Sequence, residues 1–402
     1  MKIKFSIVAL LIYATTSLSA QEIKGSKFGK GLFNIVGQDS SWTMKVGLRM
    51  QILSEASWDV EGGKLINPNS DFSIRRSRLK FDGFAYSPKL EYKFELGLSN
   101  NDISGGSQYT SNTPRYILDA VVKWNFYQNF VLWFGQTKLP GNRERVISSA
   151  NMQFVDRSLL NSRFNIDRDM GIQLHHHFNI SNSFVVKEVL AISQGEGRNI
   201  TTGNIGGHQY TTRLELLPFG EFIDEGDYSG SDLKREVTPK LSLAATYDYN
   251  NNAVKTRSNQ GSYMVIDDGD GLFETNINTF FIDAMFKYNG FSFMGEYAHR
   301  DAKDPFVKNT DGTLTGSEVQ VGTGLNLQAG YLFKTNWEIS GRYTNITLDK
   351  TITGKDAENQ YTLGVSKYIV GHKLKVQSDI SYRDIANNND QFMCRLQFDI
   401  HF

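Results

Sequence analysis

Residues 89–99, KLEYKFELGLS, alternate without a fault: Leu90, Tyr92, Phe94, Leu96 and Leu98 stand against Lys89, Glu91, Lys93, Glu95 and Gly97. Side chains along a β-strand repeat every two residues, so one face of this strand is apolar and the other is charged. A soluble sandwich would bury the apolar face, whereas a transmembrane barrel would turn the same face out to lipid. Periodicity is silent on that choice.

The same pattern recurs along the whole 402-residue chain. It predicts sixteen strands, at about 41–53, 72–86, 89–99, 115–126, 129–137, 169–178, 183–194, 207–217, 239–249, 276–288, 291–300, 320–333, 336–347, 359–369, 372–384 and 390–402. Tight links at Ser87-Pro88, Tyr127-Gln128, 179–182, Asn289-Gly290, Lys334-Thr335 and Val370-Gly371 take turns with longer polar segments at 54–71, 100–114, 138–168, 195–206, 250–275, 301–319 and 348–358. Short turns at one end and long loops at the other are the habit of outer-membrane barrels. Residues 218–238, PFGEFIDEGDYSGSDLKREVT, break the rule, because a short turn is expected there.

The beginning of the chain reads as an export signal at residues 1–20. Lys2 and Lys4 precede an apolar run from Phe5 to Tyr13, and Ser17, Ser19 and Ala20 are small enough for cleavage after Ala20. Residues 21–402 then form one domain, since no Pro-rich linker, low-complexity tract or long charge run divides them. No apolar stretch of 18 residues follows the signal, so no transmembrane helix is expected. Cys394 is the only cysteine, which rules out an intrachain disulfide. The last strand, with Phe392, Cys394, Leu396, Phe398, Ile400 and Phe402 on one face, ends on an aromatic residue, as barrel proteins recognised for outer-membrane assembly do.

A sheet that crosses lipid must close on itself, because unpaired edge amides find no water there. Tyr and Phe gather near strand ends, at Tyr86, Trp124, Phe126, Tyr288, Tyr331 and Phe333 among others, as an aromatic girdle requires. The expected fold is therefore all-β: a transmembrane up-and-down antiparallel β-barrel of 16 strands, its apolar rows facing lipid. The rival is a soluble secreted β-rich binding protein, which would remain in solution without detergent.

With the apolar faces outward, the polar faces line a lumen. Arg76, Arg78, Lys80, Lys93 and Lys123 are candidate pore-lining, anion-binding residues on strands, and Arg75 is expected to point outward near the membrane surface. Segment 138–168 adds Lys138, Arg143, Arg145, Arg157, Arg163 and Arg168, and is expected to fold inward as a constriction. The chain balances 43 Lys and Arg against 43 Asp and Glu, so this basic excess inside implies an acidic excess on loops and turns. A ring of Arg and Lys at a narrow, wet point favours anions, phosphate included. The plainer alternative is that each arginine only pairs with a neighbouring carboxylate.

FSIRRSRLKFDGFAYSPKLEYKFELGLS (72–99) and WFGQTKLPGNRERVISSANMQFVDRSLLNSRFNIDRDMGIQLHHHF (133–178) together resemble the phosphate-selective porin O and P family. The likeness rests on Arg75-Arg76, Gly135-Gln136, Lys138, Pro140, Glu144, Asp156-Arg157, Arg168-Asp169 and Gly171, and LPFGEFIDEGDYSG (217–230) looks like that family's long turn. The resemblance implies an outer-membrane channel, usually a homotrimer, that passes small solutes by diffusion.

Other chemistry is poorly supported. His175 and His177 share a face, but two imidazoles make an incomplete metal site, and His208 and His299 lie far off in sequence. DDGDG (267–271) lacks the remaining ligands of a calcium loop. No Gly-x-Ser-x-Gly elbow, His-Glu-x-x-His or phosphate loop occurs, so no catalytic residue and no cofactor is expected. An outer-membrane barrel enzyme would need a convergent nucleophile or acid/base cluster. The partners expected are outer-membrane lipid, small anionic or polar solutes and further copies of the chain in a homotrimer, with no nucleic acid.

Overall fold

The computed structural model describes residues 24–402, so the expected export signal at 1–20 lies outside the described residues. Sixteen long strands follow one another as neighbours: β1 (Thr43–Glu61), β2 (Lys64–Ala85), β3 (Ser87–Gly97), β4 (Ile117–Tyr127), β5 (Phe130–Lys138), β6 (Arg168–Ser181), β7 (Phe184–Ser193) and β8 (Gln209–Leu217) make the first half. The second half is β9 (Lys240–Ala253), β10 (Thr275–Tyr288), β11 (Phe291–Ala302), β12 (Gly322–Leu332), β13 (Trp337–Leu348), β14 (Glu358–Val370), β15 (Leu374–Ile385) and β16 (Asp390–His401). Every neighbouring pair is antiparallel, and β16 closes on β1 from Asp390↔Val60 to His401↔Arg49. Closure leaves no strand edge, which is the condition for crossing a bilayer.

The alternation works as the composition requires. Ile74, Phe134, Ile172, Leu190, Ile282, Leu363 and Phe398 are exposed on the outer face, while Asp248, Asp283, Asn326, Lys375 and Asp399 are buried on the inner one. On β3, Glu95 and Gly97 are buried and Leu90, Tyr92, Phe94 and Leu96 lie on the outer face, so the apolar rows meet lipid. Aromatic pairs such as Trp124–Phe126 and Tyr331–Phe333, with ring centroids 5.7 and 5.2 Å apart, stand at strand ends near the short turns.

Two local expectations are corrected. Residues 54–71 are not a loop: β1 and β2 run on as a paired hairpin to Glu61↔Lys64, turning at Gly62 and Gly63 with φ of 56° and 75°. Both central residues take positive φ, the geometry of the tight turn that suits strand twist. Only about ten residues of each strand are needed to span lipid, so polar residues beyond that length pair freely in water. The second correction concerns Arg75. Gln51 pairs with Arg76 but Ile52 pairs with Ile74, leaving Arg75 as the extra residue of a β-bulge. The bulge switches parity, so Ile74 faces out, Arg76 faces in, and Arg75 is also turned to an inner partner.

Two segments fold into the barrel and give it an internal core. Residues 139–167 enter from the long-loop end, and Leu139, Leu160, Phe164 and Ile166 pack against inward Phe281, Ala298 and Ile346. The long turn 218–239 rises from the opposite end, and its Phe222 joins Ile147 of the loop and inward Met285 and Met294. The two segments meet where Gly230 N–H donates to the Asn151 carbonyl at 2.8 Å.

Candidate functional site

The inserted loop is held against one side of the wall. Its Arg143 is fully buried and donates to Asp283 at 2.8 Å and to Ser242 at 2.8 Å, with Glu215 at 3.7 Å. Glu296 on β11 accepts from the Glu144 backbone at 2.7 Å, and Gln153 donates to Glu338 on β13 at 2.7 Å. Lys375 and Gln377 on β15 donate to the Met152 and Gln153 carbonyls at 3.0 and 2.8 Å. Arg49 on β1 reaches Ser149 at 2.7 Å. These contacts run from β8 round to β1. The long turn fills the space below: Tyr228 donates to Glu215 at 3.0 Å, and Lys287 donates to the Ser231 carbonyl at 2.7 Å.

A cavity of about 650 Å³ lies between this filling and the wall of β2 to β8. Of the candidate residues, Arg78, Lys93, Lys123, Lys138 and Arg168 line it. Three of these are paired: Arg78 with Glu95 at 3.2 Å and Asp102 at 2.8 Å, Lys93 with Glu95 at 2.8 Å and Asp119 at 2.7 Å, and Arg168 with Asp119 at 3.1 Å. Lys138 donates to the backbone carbonyls of Arg145, Val146 and Ile147 at 2.8, 3.3 and 3.1 Å. Lys123 sits over the Trp133 ring, 3.9 Å from its centroid. Among the described residues, neither Lys123 nor Lys138 forms an ion pair with a carboxylate.

The other candidates are placed away from the cavity. Arg76 bonds Gln51 at 2.6 Å and Asp156 at 3.1 Å, and Lys80 pairs with Asp82 at 3.0 Å. Arg145 pairs with Asp167, Arg163 pairs with Glu358 at 3.2 Å, and Arg157 donates to the Glu144 and Ile147 carbonyls, both at 2.9 Å. These arginines join the loop to itself and to the wall. Burial would raise the Asp156 carboxyl, but Arg76 and Arg75, with Arg395 beyond them, hold it well below the usual carboxylate range. Burial also pulls Arg157 down to about 10, against the neighbouring Glu144 and Asp156.

Sequence reasoning missed Arg75, Trp133, and the contributions of Glu221, Glu225 and Tyr228, all three of which line the cavity from the long turn. For Arg75, a regular strand with Arg76 inward puts Arg75 outward, and only the bulge turns both arginines to inner partners. Trp133 shares parity with Thr137, also in the cavity wall. For the turn, no local pattern distinguishes a segment that enters the lumen from one that hangs below it.

A model of the family described as phosphate-selective porin O and P matches residues 45–400. An uncharacterized protein of Aquifex aeolicus (strain VF5) is 22% identical over 388 residues, covering 89% of this chain and 87% of that protein. An anion-selective porin from Comamonas acidovorans has the same fold, with a TM-score of 0.56 at 11% identity over 90% of this chain and 100% of its own. OmpF of Salmonella typhi, in complex with daunomycin, gives 0.55 at 12% identity over 91% and 100%. At such identities the structures share architecture, and the family match carries the assignment. A closed sixteen-stranded barrel, narrowed from within and carrying that family's pattern from residue 45 to residue 400, belongs to the phosphate-selective porin O and P family of the outer membrane.

Proposed function

We propose that this porin is a homotrimeric channel for passive diffusion of small solutes, with a mild preference for anions that extends to phosphate. Residues 1–20 direct its export and are cleaved, and segment 138–168 forms the constriction. The observation that carries the reading is the cavity beside the loop, lined by Lys123 and Lys138, two cations with no carboxylate partner among the described residues. Paired charges largely cancel at the distance of a passing ion, whereas an unpaired ammonium beside a water-filled space raises the local concentration of anions. An anion-selective porin of Comamonas acidovorans shares the fold, and the two lysines supply a physical reason for the same sign here. The family and fold point to a channel rather than an enzyme.

The test is a planar bilayer holding detergent-extracted protein across a salt gradient. A reversal potential of anionic sign, with phosphate reducing chloride current, supports the reading. Cation selectivity removes the basic constriction while leaving the barrel, and cross-linking that yields only monomers removes the trimer.

A further inference from the structure

We propose that Lys123, Trp133 and His175 form a recognition site for organic anions that carry an apolar ring, a deepening that rests on the channel reading above. Strand register brings the three together on the inner wall. Trp133 on β5 lies opposite Lys123 on β4 and Gln173 on β6, two residues from His175. Trp124 and Trp337 are about half exposed on the outer face, where an aromatic girdle accounts for them. Lipid gives no reason for an inward tryptophan.

The geometry is that of a rib. The Lys123 ammonium stands 3.9 Å from the indole centroid, and the His175 ring is stacked on the same indole at 4.0 Å with 22° between planes. His175 is oriented in turn. Gln173 Nε2 donates to the Lys138 carbonyl at 2.9 Å, which turns its Oε1 to His175 Nε2 at 3.1 Å. An amide oxygen only accepts, so Nε2 carries the hydrogen. Among the described residues neither the Trp133 indole N–H nor Lys123 has a carboxylate or carbonyl acceptor, and all three side chains line the cavity.

Two kinds of surface therefore meet at one point. The ammonium and the indole N–H are donors for a carboxylate, and the imidazole face, with Val189 beside it and Pro140 and Val146 across the cavity, is apolar. Inorganic phosphate is held by charge and hydrogen bonds and makes no use of such a surface. An aromatic carboxylate uses both, its oxygens on the donors and its ring on the aromatic rib.

Benzoate and acetate carry the same charged group and differ in the ring, so the experiment compares their block of chloride current through the full-length mature protein in planar bilayers. Benzoate is expected to block at concentrations at least about fivefold below acetate, and Trp133→Ala and Lys123→Met each to weaken benzoate block about five- to tenfold. Trp133→Phe, which keeps a ring, should retain most of it, and phosphate block should change less than about twofold in Trp133→Ala. Heat-dependent gel mobility verifies that each variant is folded. Equal block by benzoate and acetate in a conducting wild type, or unchanged benzoate block in a folded Trp133→Ala, overturns this site alone. A wild type that conducts no ions overturns the channel reading.

Discussion

Replacing Asp156 with asparagine removes the charge that ties the inserted loop to the bulge of β2. Asp156 accepts from Arg75 at 2.7 and 3.2 Å and from Arg76 at 3.1 Å, so the change strands two guanidiniums at once. Removing one partner of a buried ion pair costs about 3–5 kcal/mol. Asp156 and Arg75 retain about a quarter of their side-chain surface in solvent, and screening at that exposure lowers the cost to about 2–3 kcal/mol. At about 1.4 kcal/mol per factor of ten, the fraction of barrels with a detached loop rises about 30- to 150-fold. The Asp156 carboxyl is held below its unfolded pKa, so its contribution is complete above the unfolded value and is lost only as pH falls through the lower folded one. The effect should therefore be constant from about pH 5 to 8. The assay is single-channel recording at about 0.1 M salt, where the screening length is still about 10 Å. Asp156→Asn should show added current flicker and a reversal potential moved toward anions by the freed arginines. A variant with wild-type conductance, noise and reversal potential would refute the view that this contact anchors the loop.

Neutralising Glu221 and Glu225, which line the cavity from the long turn, should raise the anion-to-cation permeability ratio severalfold; an unchanged ratio would mean that permeating ions do not pass these carboxylates. A Cβ at Gly230 would sit 2.7 Å from the Gln153 backbone nitrogen, so Gly230→Ala should part the turn from the loop at a cost of about 1–3 kcal/mol. Its readout is the temperature at which the heat-resistant gel band disappears, and no decrease counts against the turn as a brace. In the external segment 194–208, burial pushes the Glu196 carboxyl up to about 7 despite the Gly206 and Ile205 amides. Between about pH 4.5 and 7 the folded loop binds a proton that the unfolded chain lacks, so its packing weakens as pH rises through that window. Limited proteolysis should cut this loop more slowly at pH 5 than at pH 7.5, and Glu196→Gln should abolish the difference; identical rates in the wild type would contradict the assignment.

The strands and their number were legible in residues 89–99 and their repeats, because the two-residue period is a property of each segment by itself; the outward direction of the apolar faces came instead from the alternation of short turns and long loops. A chain end that closes on the first long strand was also readable, since a sheet wetted by lipid tolerates no edge. The bulge at Arg75 was not legible: a regular strand puts adjacent arginines on opposite faces, and only the pairing of Gln51 with Arg76 and of Ile52 with Ile74 shows the change of parity. The hairpin at Gly62 and Gly63 was hidden because its polar residues lie beyond the span that lipid selects.

Alternation, once the apolar rows face lipid, determined that many cations and carboxylates would face a common interior. Which of them cancel was decided by tertiary structure. Arg143 finds Asp283 and Arg163 finds Glu358 across the barrel, whereas among the described residues Lys123 meets an indole and Lys138 meets carbonyls, neither of them a carboxylate. Such pairings join residues far apart in the chain, and no local pattern encodes them. The long turn was visible as an exception to the loop rhythm, but its entry into the lumen depends on Phe222 meeting Met285, Met294 and Ile147 from three other segments. Alternation is local and can be read along one strand; the shape of the passage follows from what two inserted segments leave unfilled, and only the closed fold decides that.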